Sequence, residues 1–442
     1  MPKVKVLSRN PDDYVRETKK DIFKVPRNYN PTLHPFEEAR EYTRALNATK
    51  LERLFAKPFL GDLNGHRDGV NVMCKHPISL SKVFTGACDG EVREWDLPKL
   101  QCTKIIATHS GFVRGMDFES DAQKFWTCGD DKTIKLWDNT ITPEEPLQTI
   151  LTSDVPQGLS RHKSKEVIAT CGQSVNIYNI GRTTPSRSLT WGIDSIHHVA
   201  FNPIETEILA SCASDRSIVL YDCRERNPLR KVILKLRSNK LAWNPLEAFT
   251  FTVANEDYNL YTFDMRKLST PVNVHMNHIS AVLDVDYSPT GKSFVSGSYD
   301  KTIRVFEVNK GRSIEVYHTK RMQRVNCVLW SLDNRYLLSA SDEMNVRVWK
   351  ANASEKLGVL KTREKESMNY SQKLKQKYKH FPKIKGISKK RHIPKAIYNA
   401  ASEIATIRES QKRKESNRRA HSKPGAVPYV SERQKHVVGE AK

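Results

Sequence analysis

Residues 129–138, Gly-Asp-Asp-Lys-Thr-Ile-Lys-Leu-Trp-Asp, gather three carboxylates, two lysines and a tryptophan, and His109 stands 22 positions before Asp131. A carboxylate, an imidazole and nearby ammonium groups are the raw material of general acid–base catalysis. An active site would contain the arrangement once. Here it returns as GACDGEVREWD, CGQSVNIYN, ASDRSIVLYD, NEDYNLYTFD, SYDKTIRVFE and SDEMNVRVWK. The aromatic positions Trp95, Trp137, Tyr178, Tyr221, Phe263, Phe306 and Trp349 are separated by 42, 41, 43, 42, 43 and 43 residues. A steady period of roughly 40–45 residues is that of a four-stranded propeller blade.

The repeat accounts for its own chemistry. An Asp six places before the aromatic (Asp89, Asp131, Asp215, Asp257, Asp300) can accept the free N–H groups of a tight turn. From there an alternating strand such as Thr133–Trp137 leads to the aromatic. His66, His109 and His278 precede Asp89, Asp131 and Asp300 by 22 or 23 residues, and in the seventh unit the same offset joins Arg321 to Glu343. A catalytic imidazole would not survive that exchange, whereas a structural polar contact would. These pairs are therefore expected to be buried hydrogen bonds inside blades, with an Arg321–Glu343 ion pair in the last. The third unit departs most, with Gln173 near its turn and no upstream histidine.

These features resemble the WD-repeat family over residues 55–350. The resemblance implies an all-β, seven-bladed propeller that binds partners on rigid faces and is not an enzyme. Each sequence repeat is offset from its blade, so the ring needs one more strand. FAKPFLGDLNGH (55–66) is expected to be the outer strand of the seventh blade, and SEKLGVLK (354–361) is the competing candidate.

Bulk composition points to a core diluted by solvated extensions: 442 residues, 38% hydrophobic and 28% charged. The net charge of +23 makes nucleic acid the first partner to consider. Residues 363–442 hold 22 Lys and Arg against 7 Asp and Glu, a net +15. Residues 1–54 and 55–362 each carry only +4, from 12 against 8 and 39 against 35. The expected domains are accordingly an N-terminal arm with a short helix (1–54), a propeller (55–362) and a basic, mainly helical extension (363–442). Eight cysteines without a CxxC pair suit reduced thiols, with no metal site. Neither a signal peptide nor an apolar span of membrane length is evident, so an intracellular protein is expected.

Other chemistry is thin. Ser-Pro-Thr-Gly-Lys-Ser (288–293) has Asp286 where a phosphate-binding loop requires glycine, and it is expected to be a hairpin turn. No nucleophile elbow or metalloprotease helix is present, so no catalytic residue and no cofactor is assigned. Two adjacent units end in Asp-x-Arg: Asp222 with Arg224, and Asp264 with Arg266. Either each arginine pairs with its own aspartate, or two neighbouring blades offer guanidiniums for protein docking. Such paired boxes resemble those by which cullin-RING ligase substrate receptors hold their adaptor.

The extensions have their own pattern. The proline-rich arm before residue 35 should run extended. A helix is expected over 35–55, with Phe36, Tyr42, Leu46 and Leu54 on one side. The tail should form a basic helix stopped by Pro382 and a second from Pro394 to the Pro424-Gly425 break, with Ile397, Ala401, Ile404 and Ile407 as a narrow apolar stripe. Lys389, Lys390 and Arg391, then Lys412, Arg413, Lys414, Arg418 and Arg419, are the candidate phosphate contacts. No RNA-binding domain signature is present, so backbone and shape would be read rather than sequence. The seven repeats should close without this tail.

Several stretches together, including VLSRNPDDYVRETKKDIFKVPRNYNPTLHPFE, RALNATKLERLFAKPF, NEDYNLYTFDMR and RRAHSKPGAVPYVSE, look like the Sof-type WD-repeat proteins. The likeness runs from about residue 3 to the C-terminus. It implies a nucleolar assembly factor of the small-subunit processome, acting in small-subunit ribosomal RNA processing. The implied partners are pre-ribosomal RNA, the U-three small nucleolar ribonucleoprotein and other processome proteins, and no membrane. Animal members are also grouped with cullin-ligase substrate receptors, which is the alternative role.

Overall fold

The computed structural model describes residues 31–140, 145–190, 195–225 and 227–441; the arm expected to run extended before residue 31 lies outside them. Short strands with alternating burial, bounded by turn residues, fold into seven antiparallel sheets whose strands follow one another in chain order. Blades 1 to 6 span residues 70–107, 113–151, 158–189, 196–234, 238–276 and 282–317. Blade 7 takes three strands from 325–350 and its outer strand from Phe59–Leu63, which pairs antiparallel with Val346–Lys350. The N-terminal candidate therefore closes the ring. All seven repeat aromatics lie on the third strand of their blades, and all are buried.

The turn before that strand works as its sequence suggests. Asp89, Asp131, Asp215, Asp257 and Asp300 each accept the backbone N–H two residues on, at 2.9–3.2 Å. The residue after the Asp is left-handed throughout: Gly90, Lys132, Arg216, Tyr258 and Lys301 have φ of 84°, 59°, 67°, 72° and 64°. A side chain at Gly90 would meet the carbonyl oxygen of His109 at 2.0 Å, so only glycine fits there.

Behind the turn sits a buried chain of hydrogen bonds. In blade 2, Trp137 Nε1 donates to Thr127 Oγ1 (3.0 Å), which also meets His109 Nε2 (2.9 Å), while His109 Nδ1 meets Asp131 (3.0 Å). Blade 6 repeats it with Ser296, His278 and Asp300, at 2.7 and 2.9 Å. Blade 1 keeps only part: Trp95 and His66 share Thr85 (2.8 and 2.6 Å), but His66 does not reach Asp89. Burial, and then the Arg93 guanidinium beside it, push His66 down to about 4. In blade 7 the expected Arg321–Glu343 pair does not form. Arg321 is exposed, and Glu343 bonds Arg347, the residue four places on. Proximity through the turn wins over the longer reach.

Neighbouring blades are stitched along their inner strands. Asp117 accepts the N–H of Arg161 (2.9 Å), Ser160 that of Phe201 (3.1 Å), and Asp284 and Asp286 those of Val328 and Trp330 (2.8 and 2.7 Å). Asp284 also holds Lys240 (2.8 Å), and Asp286 holds Lys75 (3.1 Å). Buried charges are tolerated only with this degree of partnering. The Ser-Pro-Thr-Gly stretch is a hairpin turn, closed by Gly291 N–H donating to the Ser288 carbonyl (2.9 Å), with Gly291 at φ 64°.

The chain divides into two compact units along lines other than 1–54, 55–362 and 363–442. Among the described residues, 31–57 and 354–391 make one, and those of 58–353 with 392–441 make the other. In the smaller, α1 (Glu37–Leu54), α2 (Thr362–Lys377) and α3 (Pro382–Lys389) bury Ala45, Leu374, Tyr378 and Ile384, with Tyr42 and Leu46 packed alongside. Tyr42 meets Phe381 and Tyr378 with centroids 5.3 and 6.0 Å apart, and Lys375–Glu52 and Lys377–Glu41 pair at 2.7 Å. Of the residues expected on α1's apolar side, Phe36 and Leu54 are exposed (73% and 75%), because the buried face runs through Tyr42, Ala45, Leu46 and Thr49. Pro382 opens a helix rather than only ending one, as its missing N–H allows at a first-turn position.

Two measurements test the buried network. Trp137→Ala, which removes a fully buried indole and leaves the Thr127 hydroxyl with only His109 as partner, should cost about 3–5 kcal/mol in denaturant unfolding. Burial would raise the Asp300 carboxyl, but the charge and hydrogen bond of His278, then Arg304 and Thr302, bring it down to about 2 from 3.8. A depressed carboxylate contributes stability above its unfolded value that is lost as pH falls through the folded one. The Tm gap between the wild type and Asp300→Asn should therefore hold at neutral pH and shrink from about pH 4 down to about 2.

Candidate functional site

The two Asp-x-Arg boxes occupy equivalent corners. Asp222 ends the third strand of blade 4 and Asp264 the third strand of blade 5, so both arginines stand in the same turn of adjacent blades. Arg224 donates through Nε (3.1 Å) and Nη2 (2.9 Å) to the two oxygens of Asp222, which also accepts the Arg224 N–H (2.9 Å). Arg266 repeats this on Asp264 at 3.1, 2.8 and 2.9 Å. Hydrogen bonding from Arg266 holds the Asp264 carboxyl below its usual range. At Asp222, burial pushes upward but the bonds from Arg224 outweigh it.

Pairing with the home aspartate has not hidden either arginine. Their side chains are 69% and 63% exposed. Arg266 also lies 4.3 Å from the ring centre of Phe249, itself partly exposed, so the blade 5 corner combines an apolar plate with a fixed cation. The result is a pair of pre-oriented guanidiniums on one edge of the ring, each with its aspartate already in the geometry of a carboxylate clamp.

The basic clusters fall into different units. Lys389 ends α3 and Lys390 follows it, both exposed, while Arg391 donates to the Ser388 carbonyl (2.6 Å); all three belong to the smaller unit. Lys412, Arg413, Lys414 and Arg418 are exposed on α4 (Lys395–Ala420), which belongs with the propeller. Arg419, on the same helix, lies over Tyr429 at 4.9 Å.

The propeller holds α4 as a strap. The ring of His392, just before the helix, meets that of His318 in blade 6 at 5.2 Å. Midway along, Arg408 reaches Asn259 (3.4 Å) and Met276 (3.6 Å) in blade 5. Near the end, Glu415 pairs with Lys435 (2.8 Å), and Val437–Ala441 then adds a fifth strand to blade 4. The apolar stripe is covered at its start: Ile397 is buried, Ala401 and Ile404 are half-buried, and Ile407 stays exposed. Sequence reading missed the fifth strand, whose five residues carry no turn signal and only a Val-Val pair. Among the described residues, no helix is long and apolar enough to cross a membrane, and no acidic, His or Cys cluster could hold a metal ion.

Comparison with known proteins fits this layout. The WD domain, G-beta repeat, matches residues 57–96, 100–138, 269–307 and 312–350, and the Sof1-like domain matches 351–437. The "DDB1- and CUL4-associated factor 13" of Xenopus tropicalis is 60% identical over 441 residues, covering 99% of each chain. The human protein of that name is 61% identical over 444 residues, covering each chain in full. The chain belongs to the Sof1-like family of WD-repeat proteins. "Protein SOF1" of Saccharomyces cerevisiae is 45% identical over 465 residues, covering 99% of this chain and 94% of that one. The propeller of Doa1 aligns with a TM-score of 0.59 at 18% identity, over 66% of this chain and 96% of that one, which supports the fold alone. As a Sof1-like protein, the chain is a non-catalytic scaffold, and the repeated His–Asp pairs are part of its fold.

Proposed function

We propose that this protein is an assembly factor of the small-subunit processome, acting in the nucleolus in small-subunit ribosomal RNA processing. On this reading the propeller docks other processome proteins and the U-three small nucleolar ribonucleoprotein. The tail holds pre-ribosomal RNA through Lys389, Lys390, Arg391, Lys412, Arg413, Lys414, Arg418 and Arg419. The observation that carries the reading is the strap: Lys412, Arg413, Lys414 and Arg418 are exposed on a helix tethered to the propeller at both ends. Holding the cations in place beforehand lowers the ordering cost of meeting phosphates. The identity with "Protein SOF1" along nearly the whole chain supports it.

A second reading is favoured by a separate observation, the matched arginine corners of blades 4 and 5. Relatives about 60% identical carry the name "DDB1- and CUL4-associated factor 13". The corners formed by Asp222, Arg224, Asp264 and Arg266 would seat a cullin-RING ligase adaptor, with Arg266 and Phe249 as its anchor. The two readings use different surfaces and are compatible.

Two experiments separate them. Changing Lys412, Arg413, Lys414, Arg418 and Arg419 together to Gln should leave the propeller folded while entry into pre-ribosomal particles falls. The slope of log RNA affinity against log salt should flatten by roughly 0.7–0.9 for each phosphate no longer neutralised. An unchanged slope with normal particle entry moves RNA binding away from α4. Changing Arg224 and Arg266 together to Ala should abolish co-purification of the ligase adaptor and leave particle entry intact. Full adaptor recovery by the folded double variant rejects the corner as its seat.

A further inference from the structure

Blade 5 lacks the histidine that blades 1, 2 and 6 carry upstream of the turn. The position 22 residues before Asp257, where blades 2 and 6 place His109 and His278, is Lys235. Asp257 nevertheless has an imidazole beside it. His436, from the far end of the chain, sets Nδ1 3.3 Å from Asp257 Oδ2, and its ring centre is 5.4 Å from that of Tyr261. Tyr261 in turn donates its hydroxyl to Asp257. The backbone is positioned as closely: the carbonyl of His436 accepts the N–H of Lys235, the residue that stands where the missing histidine would be.

From there the chain runs straight into the fifth strand. Lys231, Val232, Ile233 and Leu234 pair with Ala441, Glu440, Gly439 and Val437, with one irregularity between Ile233 and Leu234. Val437 packs against the shared core of blades 4 and 5, while Val438 points out, 64% exposed. Lys435, on the other side of His436, is held by Glu415 (2.8 Å) and Glu432 (3.4 Å).

We infer that the outer edge of blade 4 and the Asp257 turn of blade 5 form one built peptide-docking groove, whose occupant is the chain's own residues 434–441. The groove reads a strand by backbone pairing and a histidine at its entrance by the Asp257 carboxylate and the Tyr261 ring. The occupant is this segment because its His436 reaches Asp257 in a blade whose own chain has Lys235 at the histidine position, and because Lys435 and Glu415 fix its approach from α4. Main-chain pairing supplies adhesion and the His pocket supplies register, as in strand addition generally. With one half-buried valine and one edge of ladder, the segment can leave without unmaking either blade. The ring's own closure at Phe59–Leu63 does not involve it. The groove depends on neither reading of function.

Amide hydrogen exchange on the full-length protein tests it, with two variants and a peptide. Gly439→Pro removes an N–H opposite Ile233 and opposes the ladder. It should raise exchange at Lys231, Ile233 and Lys235, whose N–H groups face the segment, by roughly ten-fold or more. Leu234, which donates to the Arg216 carbonyl inside blade 4, and blades 1 and 2 should stay protected. His436→Ala should raise exchange at the turn 255–259 while blades 1 and 2 again stay protected. Adding a peptide of residues 431–442 to the Gly439→Pro protein should restore protection, and the same peptide carrying His436→Ala should restore it less. The inference is overturned if Gly439→Pro leaves Lys231, Ile233 and Lys235 protected, or if exchange rises equally in all blades. Equal rescue by the two peptides overturns the role given to His436.

Discussion

A ring of sheets exists only if its last sheet is completed by strand from the other end of the chain. That pairing, Phe59–Leu63 against Val346–Lys350, ties the order of all seven blades. Until it forms, blade 7 has an open edge and blade 1 lacks a neighbour on one side. The core cluster joining Leu63, Val70 and Trp95 to Cys327, Leu338 and Val348 then has no second wall. Closure also fixes where the chain leaves the ring: Pro58 accepts the N–H of Lys350 at 2.8 Å, so the segments before 58 and after 353 depart from neighbouring points. This makes it unsurprising that α1 and α2, remote in sequence, share the core of one small unit. A long loop between packing partners costs little once its ends are already held.

Inside the ring, polar groups are admitted on one condition. Thr127 is buried, yet it serves Trp137 and His109 together, and His109 passes the chain on to Asp131 and the turn. Each member leaves its neighbour stranded if removed, which is why such chains specify one arrangement. The inner carboxylates obey the same rule across blades. Asp117 has only backbone N–H partners and a distant Arg161, and burial lifts its carboxyl to about 6. Asp284 has the ammonium of Lys240 in contact, yet burial still pushes its carboxyl up. The ring is thus keyed blade to blade by groups whose satisfaction requires the next blade to be present.

What could be read in the sequence was whatever repeats. The aromatic period, the turn aspartates and the closing strand were legible because seven copies average out local accidents, and the seventh blade must take its outer strand from somewhere. The hydroxyls Thr85, Thr127, Ser296 and Ser339 were missed although each stands ten residues before its aromatic, because Ser and Thr are too common in strands to be noticed singly. His66 and Arg321 misled for a different reason. Sequence offset gives reach but not competition: Arg347 takes Glu343 from Arg321, while His66 bonds Thr85 and does not reach Asp89. Spacing puts Phe36 and Leu54 on one side of α1 with Tyr42 and Leu46, but the partner helices contact α1 along the row through Tyr42 and Leu46 and leave the two outer residues exposed. The strap was least legible. Its charge was obvious, but its attachments rest on single residues, Arg408, Lys435 and His436, from which no period could be built.

The two surfaces left for partners differ in what a partner must displace. Each arginine corner is already satisfied by its own aspartate, so an incoming carboxylate would have to share or replace a clamp. Exposed pairs of this kind contribute only about 0–1 kcal/mol, so the cost of sharing is small. The existing clamp chiefly sets the direction of the guanidinium and selects against partners that bring no matching acceptor. On α4 most of the basic groups have no such acid to leave. Lys412, Arg413, Lys414 and Arg418 stand in solvent, and the acid among them, Glu415, is engaged with Lys435. A polyanion arriving there releases counterions instead of breaking protein bonds. On the proposed function, one chain would offer a directional contact for a folded protein and a diffuse one for a phosphate backbone, held in fixed relation because blades 4 and 5 bear the arginine corners and also receive the end of the strap.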